Sequence, residues 1–195
     1  RAVETAREER VAYFEARHMS PHPFIPLCKQ HKATMVLDLA PTIEAQWTKF
    51  SFKIRNHIRK AEKSGFSVRI GGASGLPDFY EVFARNMRDL GTPVYTRRFF
   101  EEVLNVFPQT SCVFSVYSGK TVIASGIALG YRDTLEVPWS ASRRDYRPLC
   151  PNNLLYWELI QYAIKGGLRR FDFGRSTPGE GTYKFKEQWG AKPIP

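Results

Sequence analysis

Three β-type runs in the middle of the chain, Ser111 to Tyr117, Thr121 to Leu129 and Thr134 to Trp139, are joined through Ser118-Gly-Lys120 and Tyr131-Arg-Asp133. Connections that short leave no room for a crossover, so the three strands form an antiparallel meander. Pro151-Asn-Asn153 then opens a helix to about Lys165, which Gly166-Gly167 ends, and Arg170 to Phe173 reads as a strand. The helix is the crossover that a strand beside the meander requires. No β-α-β-α alternation surrounds this block, so the class is α+β, not doubly wound.

Upstream, Val3 to Arg17 reads as a charged amphipathic helix, ended by the proline-rich connector Ser20-Pro-His-Pro-Phe-Ile-Pro26. That connector is the expected boundary between residues 1–32, a helix and linker left from a first lobe, and a main lobe of residues 33–195. Thr34 to Leu39 is a short apolar strand, and Pro41-Thr-Ile-Glu44 supplies cap chemistry for a helix reaching about Phe50. Ser51 caps a second helix, Phe52 to Ser64, with Gly65 at its end. At 100° per residue Ile54, Ile58 and Ala61 share one face, and Lys53, Arg55, Arg59, Lys60 and Lys63 fill the opposite arc. Phe66 to Ile70 alternates as a strand. Leu76 to Leu90 and Arg97 to Phe107 follow as helices, separated by Gly91-Thr-Pro93.

Twenty-nine Lys and Arg against 19 Asp and Glu give a formal charge of +10, a surface that attracts phosphates, nucleic acid or acidic headgroups. With 43% hydrophobic residues the chain buries a core, which excludes disorder. Cys28, Cys112 and Cys150 are odd in number and include no Cys-x-x-Cys, so neither a disulfide framework nor a thiolate zinc site is indicated and a reducing compartment fits. No apolar stretch approaches the ~18 residues of a spanning helix. The expected location is cytoplasmic, with peripheral membrane association open to so basic a surface. The chain begins at Arg1 without an initiator Met, which fits a missing native start.

The distinctive local pattern lies in the C-terminal third: Asn153-Leu-Leu-Tyr-Trp-Glu158, Gly166-Gly-Leu-Arg-Arg-Phe-Asp-Phe-Gly174 and Gly181-Thr-Tyr-Lys-Phe-Lys-Glu-Gln-Trp-Gly190. Over roughly Ala33 to Pro195 the chain resembles the Fem-type (FemAB) aminoacyl and acyl transferases, and most of all their relatives linked to bacterial exosortase (PEP-CTERM) systems. The resemblance implies a GNAT-like mixed sheet flanked by helices, in a two-lobed enzyme of which this chain holds the second lobe. Its peptidoglycan branch moves amino acids from aminoacyl-tRNA to a cell-wall precursor. The implied donor here is therefore aminoacyl-tRNA or an acyl thioester such as acyl-CoA, and the implied acceptor is a cell-envelope precursor of peptidoglycan or exopolysaccharide type.

Within that pattern Phe185-Lys186 sets a cation beside an aromatic anchor, after a glycine-containing loop. An amine attacking an acyl ester develops negative charge on the carbonyl oxygen, which one fixed ammonium stabilises by ~3 kcal/mol. Lys186 is the candidate catalytic residue, and the resemblance assigns the matching lysine this electrostatic role. Asp172, at a strand end, is expected to bond backbone of the Arg175 to Tyr183 loop or to touch substrate, with Gly174, Gly179 and Gly181 letting that loop bend. Phe185 and Tyr156 complete the substrate-binding set, although Tyr156 and Trp157 read as core first. Arg97 and Arg98 lie where the family often carries a phosphate-binding arginine; adjacent helical residues point about 100° apart, so one of them faces the cleft.

A catalysing GNAT acetyltransferase carries a glycine-rich turn before the helix that follows its central strand, and its amides cradle pyrophosphate. This chain has Arg143-Arg-Asp-Tyr-Arg-Pro-Leu-Cys-Pro-Asn152 instead, leaving Arg143, Arg144 and Arg147 as a candidate anion-binding loop. Asp172-Phe-Gly174 is not a kinase motif, because neither a phosphate loop with its Val-Ala-x-Lys strand nor a His-Arg-Asp loop accompanies it. His18, His22, Cys28 and His31 match no zinc spacing, so no metal is expected. No Gly-x-Ser-x-Gly elbow occurs, and Cys150 has no paired His, so direct attack by the acceptor is expected. The competing reading is a noncatalytic RNA- or anion-binding module using the Lys53 to Lys63 helix.

Overall fold

The structure, a computed structural model, describes residues 2–13 and 31–194. His18, His22, Cys28 and the Ser20 to Pro26 connector lie outside the described residues; α1 spans Ala2–Glu8 and ends short of the expected Arg17, since residues 9–13 are turn and irregular structure with Arg10 at φ 50°. β1 (Ala33–Asp38) leads to α2 (Ile43–Lys49), where Thr42 Oγ1 accepts the Ala45 N–H at 3.1 Å. In α3 (Phe52–Lys63) Ser51 Oγ accepts the Ile54 N–H at 3.3 Å, and Ile54, Ile58 and Ala61 are buried. β2 (Ser67–Gly71), α4 (Leu76–Asp89) and α5 (Arg97–Val106) follow, then the meander β3 (Ser111–Ser118), β4 (Thr121–Tyr131) and β5 (Thr134–Ser142). A 3-10 turn, Arg144–Leu149, precedes α6 (Pro151–Lys165), β6 (Arg170–Ser176), α7 (Gly181–Glu187) and β7 (Lys192–Ile194).

The strands form a seven-stranded sheet in the order β2-β3-β4-β5-β6-β1-β7. Every neighbouring pair is antiparallel except β5 and β6, where α6 supplies the crossover. Alternation along β3 divides the core. Cys112, Phe114 and Val116 pack with α3 and α6, whereas Val113 joins Phe79, Val82 and Phe83 of α4 and Phe100 and Leu104 of α5. In α6 Leu154, Leu155, Trp157, Leu159 and Ile160 are all buried, so the helix is apolar around most of its girth. Each such side chain contributes about 1.5–3 kcal/mol, and Trp157 and Trp189 both close on Phe50, at 5.5 and 5.2 Å between ring centroids.

The α+β mixed sheet matches the sequence reading, with several extensions. β5 runs three residues past Trp139, and part of the expected 142–147 loop is the 3-10 turn. β6 runs three residues past Phe173, so Gly174 belongs to a strand and not to a bending loop. Gly181 opens a helix, α7, where the sequence suggests a loop to Tyr183, and β7 closes the sheet edge.

Candidate active site

The parallel ladder between β5 and β6 is short, running from Thr134↔Arg170 to Glu136↔Asp172, yet both strands continue beyond it. Two local features end the pairing. Pro138 of β5 has no N–H to give a ladder, and the β4–β5 register shifts beside it, between Ile127 and Leu129. On β6 Gly174 adopts φ 75°, in the left-handed region that favours glycine, where the β1–β6 register also shifts. The far halves of β5 and β6 are thus left unpaired with each other. The two strands therefore part beyond Glu136 and Asp172.

Lys186 reaches that point from α7. Its side chain is buried, and Nζ donates to Gly174 O at 3.0 Å and to Arg175 O at 3.1 Å. Burial pulls the amine down from 10.5 to about 8, while the nearby Asp172 carboxylate acts in the opposite direction. At neutral pH Lys186 remains largely protonated. Asp172 Oδ1 accepts the Gly174 N–H at 2.7 Å, so its backbone partner lies within β6 and not in the 175–183 loop, as the sequence had suggested. Burial raises the Asp172 carboxyl, opposed by that N–H and by Lys186.

Phe185 packs on Tyr156 and Trp189, at 5.5 and 6.3 Å between centroids. Tyr156 is buried in the core, and its hydroxyl lies 2.8 Å from Ser140 Oγ on the unpaired half of β5. Lys186, Asp172, Phe185 and Tyr156 are therefore brought together. Sequence reasoning missed Ser140 and the Gly174 and Arg175 carbonyls. Pro138 within an alternating run was the one available signal for the break.

The arginine candidates are carried by α5, whose Phe99 meets Trp139 of β5 at 5.6 Å between ring centroids, and by the segment between β5 and α6. Arg97 and Arg98 are exposed on α5, which packs against α4, β3 and the Ala73–Gly75 turn, and Arg98 Nε pairs with Glu102 at 3.6 Å. Arg143, Arg144 and Arg147 stand between β5 and α6. Arg143 is half-buried with its guanidinium 5.8 Å from the Tyr146 ring, Arg144 is exposed, and Arg147 reaches Asn86 Oδ1 at 3.5 Å. Arg143 Nε, Asn152 Oδ1 and Ser176 Oγ are buried without hydrogen-bond partners, and they follow β5, open α6 and end β6 respectively. The basic helix α3 carries an open groove of about 530 Å³ lined by Asn56, Arg59, Lys60, Lys63 and Ser64. Among the described residues no cluster of three or more His, Cys, Asp or Glu is placed to hold a metal ion, and no helix is long and apolar enough to cross a membrane.

Among solved structures the chain is similar to FemX, with a TM-score of 0.76 and 15% identity over 91% of this chain and 63% of that one. It is also similar to the C-terminal domain of a putative lysylphosphatidylglycerol synthetase from Agrobacterium fabrum (TM-score 0.64, 12% identity, 84% of this chain and 58% of that one). A third similar structure is L-PGS from Bacillus licheniformis (TM-score 0.59, 12% identity, 83% and 57%). At these identities the likeness establishes the fold, and the chain spans less than two thirds of each of these structures. No curated protein sequence matches the chain. Residues 48–187 match the family described as the acetyltransferase (GNAT) domain. That match runs from the end of α2 through the whole of α7, including the β5–β6 break and Lys186, and the chain belongs to the acetyltransferase (GNAT) domain family.

Proposed function

We propose that this chain is the acyl-transferring lobe of a FemAB-type enzyme, moving an acyl or aminoacyl group from an activated ester or thioester to an envelope-related acceptor. The observation that supports this most is a buried ammonium, Lys186, held where two parallel strands of a GNAT-type sheet stop pairing. An acceptor amine adds to the donor carbonyl, and the carbonyl π electrons move to oxygen. Lys186, with two N–H groups committed to Gly174 O and Arg175 O, has a third to offer that oxyanion. Collapse of the intermediate expels the alcohol or thiol, which leaves with the proton given up by the amine. Phe185 and Tyr156 wall the reacting group. The orphaned Arg143 Nε, a guanidinium donor, suits a phosphate of the donor.

The lack of a glycine-rich turn before α6 favours an aminoacyl-tRNA donor over acyl-CoA, in keeping with the resemblance to the Fem-type transferases. Mass spectrometry tests the reading. The chain is incubated with alanyl-tRNA, lysyl-tRNA or acetyl-CoA, each with an amine-bearing cell-wall peptide precursor or with phosphatidylglycerol vesicles. Transfer from one donor, lost in Lys186→Met, is expected; equal transfer by that variant defeats the role of Lys186. A second reading, binding of RNA or another polyanion without chemistry, draws on the α3 groove. It predicts salt-dependent RNA retention that Lys60→Ala with Lys63→Ala abolishes and Lys186→Met leaves intact.

A further inference from the structure

In a regular strand consecutive carbonyls point to opposite edges, so one ammonium cannot donate to both. Gly174 and Arg175 are consecutive, yet both carbonyls accept from Lys186 Nζ, at 3.0 and 3.1 Å. The explanation is in the register between β1 and β6. Val36 lies opposite Asp172 and Thr34 opposite Arg175, so three steps on β6 are matched by two on β1. The extra residue is accommodated at Gly174, whose φ of 75° turns its peptide and brings the two carbonyls to one side. A Cβ at Gly174 would lie 3.5 Å from Val137 O, ordinary contact, so the backbone angle and not crowding is what demands glycine. Asp172 closes the bulge: its Oδ1 accepts the Gly174 N–H at 2.7 Å and so anchors the Phe173–Gly174 peptide, the plane from which the φ of Gly174 turns the following peptide and its carbonyl.

We infer that Asp172 and Gly174 are a positioning unit for Lys186, Asp172 acting through the Gly174 N–H to converge two carbonyls on the ammonium. The inference rests on the proposed role of Lys186 and adds to it. Two of the three ammonium hydrogens are fixed by protein acceptors, and tetrahedral nitrogen then sets the direction of the third. A donor aimed before substrate arrives costs no reorganisation during the reaction. Asp172 therefore does its work from behind the lysine, not on the substrate.

The test is the Lys186 ammonium signal in protein labelled with 15N-lysine, assigned by its absence in Lys186→Met and observed at pH 6.5. Exposed lysine ammonium protons exchange with water too fast to be seen, whereas a buried, doubly bonded ammonium persists. The signal is expected in the parent and in Asp172→Asn, whose amide oxygen still accepts the Gly174 N–H. It is expected to vanish in Asp172→Ala and in Gly174→Ala. In Asp172→Asn the retained signal should titrate at lower pH than in the parent, since the carboxylate that favours the ammonium is gone. Persistence of the parent signal in Asp172→Ala, or its loss in Asp172→Asn, overturns the inference. The Asn and Ala variants decide it alone if Gly174→Ala does not fold. A Lys186→Met variant that transfers normally would sink the catalytic reading while leaving this result standing, so the two failures are separable.

Discussion

Lys186→Met should change how stability depends on pH more than it changes stability itself. In the unfolded chain the amine titrates near 10.5 and in the folded protein at about 8. A folded pKa below the unfolded one means that the unfolded state binds more protons between these values, so stability rises with pH across that window. The difference corresponds to about 3 kcal/mol at 1.36 kcal/mol per unit, the cost of keeping a buried charge at neutral pH. Roughly 2 kcal/mol of this is recovered between pH 7.5 and 9.5. Methionine fills a similar volume and removes the charge, but it leaves Gly174 O and Arg175 O without their donor, at ~1–3 kcal/mol for each carbonyl that stays buried. These effects oppose each other at pH 7, so the absolute change there is small. Urea unfolding at pH 7.5, 8.5 and 9.5 separates them, because only the parent carries the Lys186 titration. The parent should gain about 2 kcal/mol relative to Lys186→Met over that range. Parallel pH dependences in the two proteins would refute the claim that Lys186 is charged at a desolvation cost.

Gly75→Ala should destabilise by ~1–3 kcal/mol in the same unfolding assay, since its Cβ would stand 2.9 Å from Val113 Cβ in the α4 side of the core. Arg143→Ala should weaken binding of inorganic pyrophosphate in calorimetry by ~1–3 kcal/mol. Arg97→Lys and Arg98→Lys, on exposed α5 positions, should each change it by less than about 0.5 kcal/mol. The reverse order would return the anion site to α5.

The parts of the fold that the sequence disclosed are those whose signals are local. The apolar runs of β3 and β4 with hairpin-length turns, Ser51 before α3, and Pro151 before α6 each act within a few residues, and each element forms where those signals lie. β5 runs three residues beyond the expected end at Trp139: Ala141 continues the alternation of Leu135, Val137 and Trp139, but small Ala and Ser residues are weak strand formers. α7 was missed because seven residues beginning with glycine have neither the length nor the periodicity of an independent helix. It persists because Phe185 and Lys186 are held by Tyr156, Trp189 and β6. β7 contains Pro193, which suits an edge strand and hides it from propensity arguments. The bulge at Gly174 depends on register with β1, far away along the chain. Asp172 could therefore be singled out from sequence, but its partner could not. Arg97 and Arg98 are candidates through the family resemblance, and no local signal says which layer of the fold α5 occupies.

The claim on which this account depends is that the Lys186 ammonium stabilises the oxyanion formed during acyl transfer. Single-turnover transfer, followed by mass spectrometry of the acceptor, tests it most directly when the parent and Lys186→Met are compared at pH 7 and again at pH 9. The account predicts a loss of about 10² in the Lys186→Met rate at pH 7, and a smaller difference at pH 9, where the parent amine, with its pKa of about 8, is mostly neutral. Equal rates at pH 7, or a difference that grows toward pH 9, would contradict it.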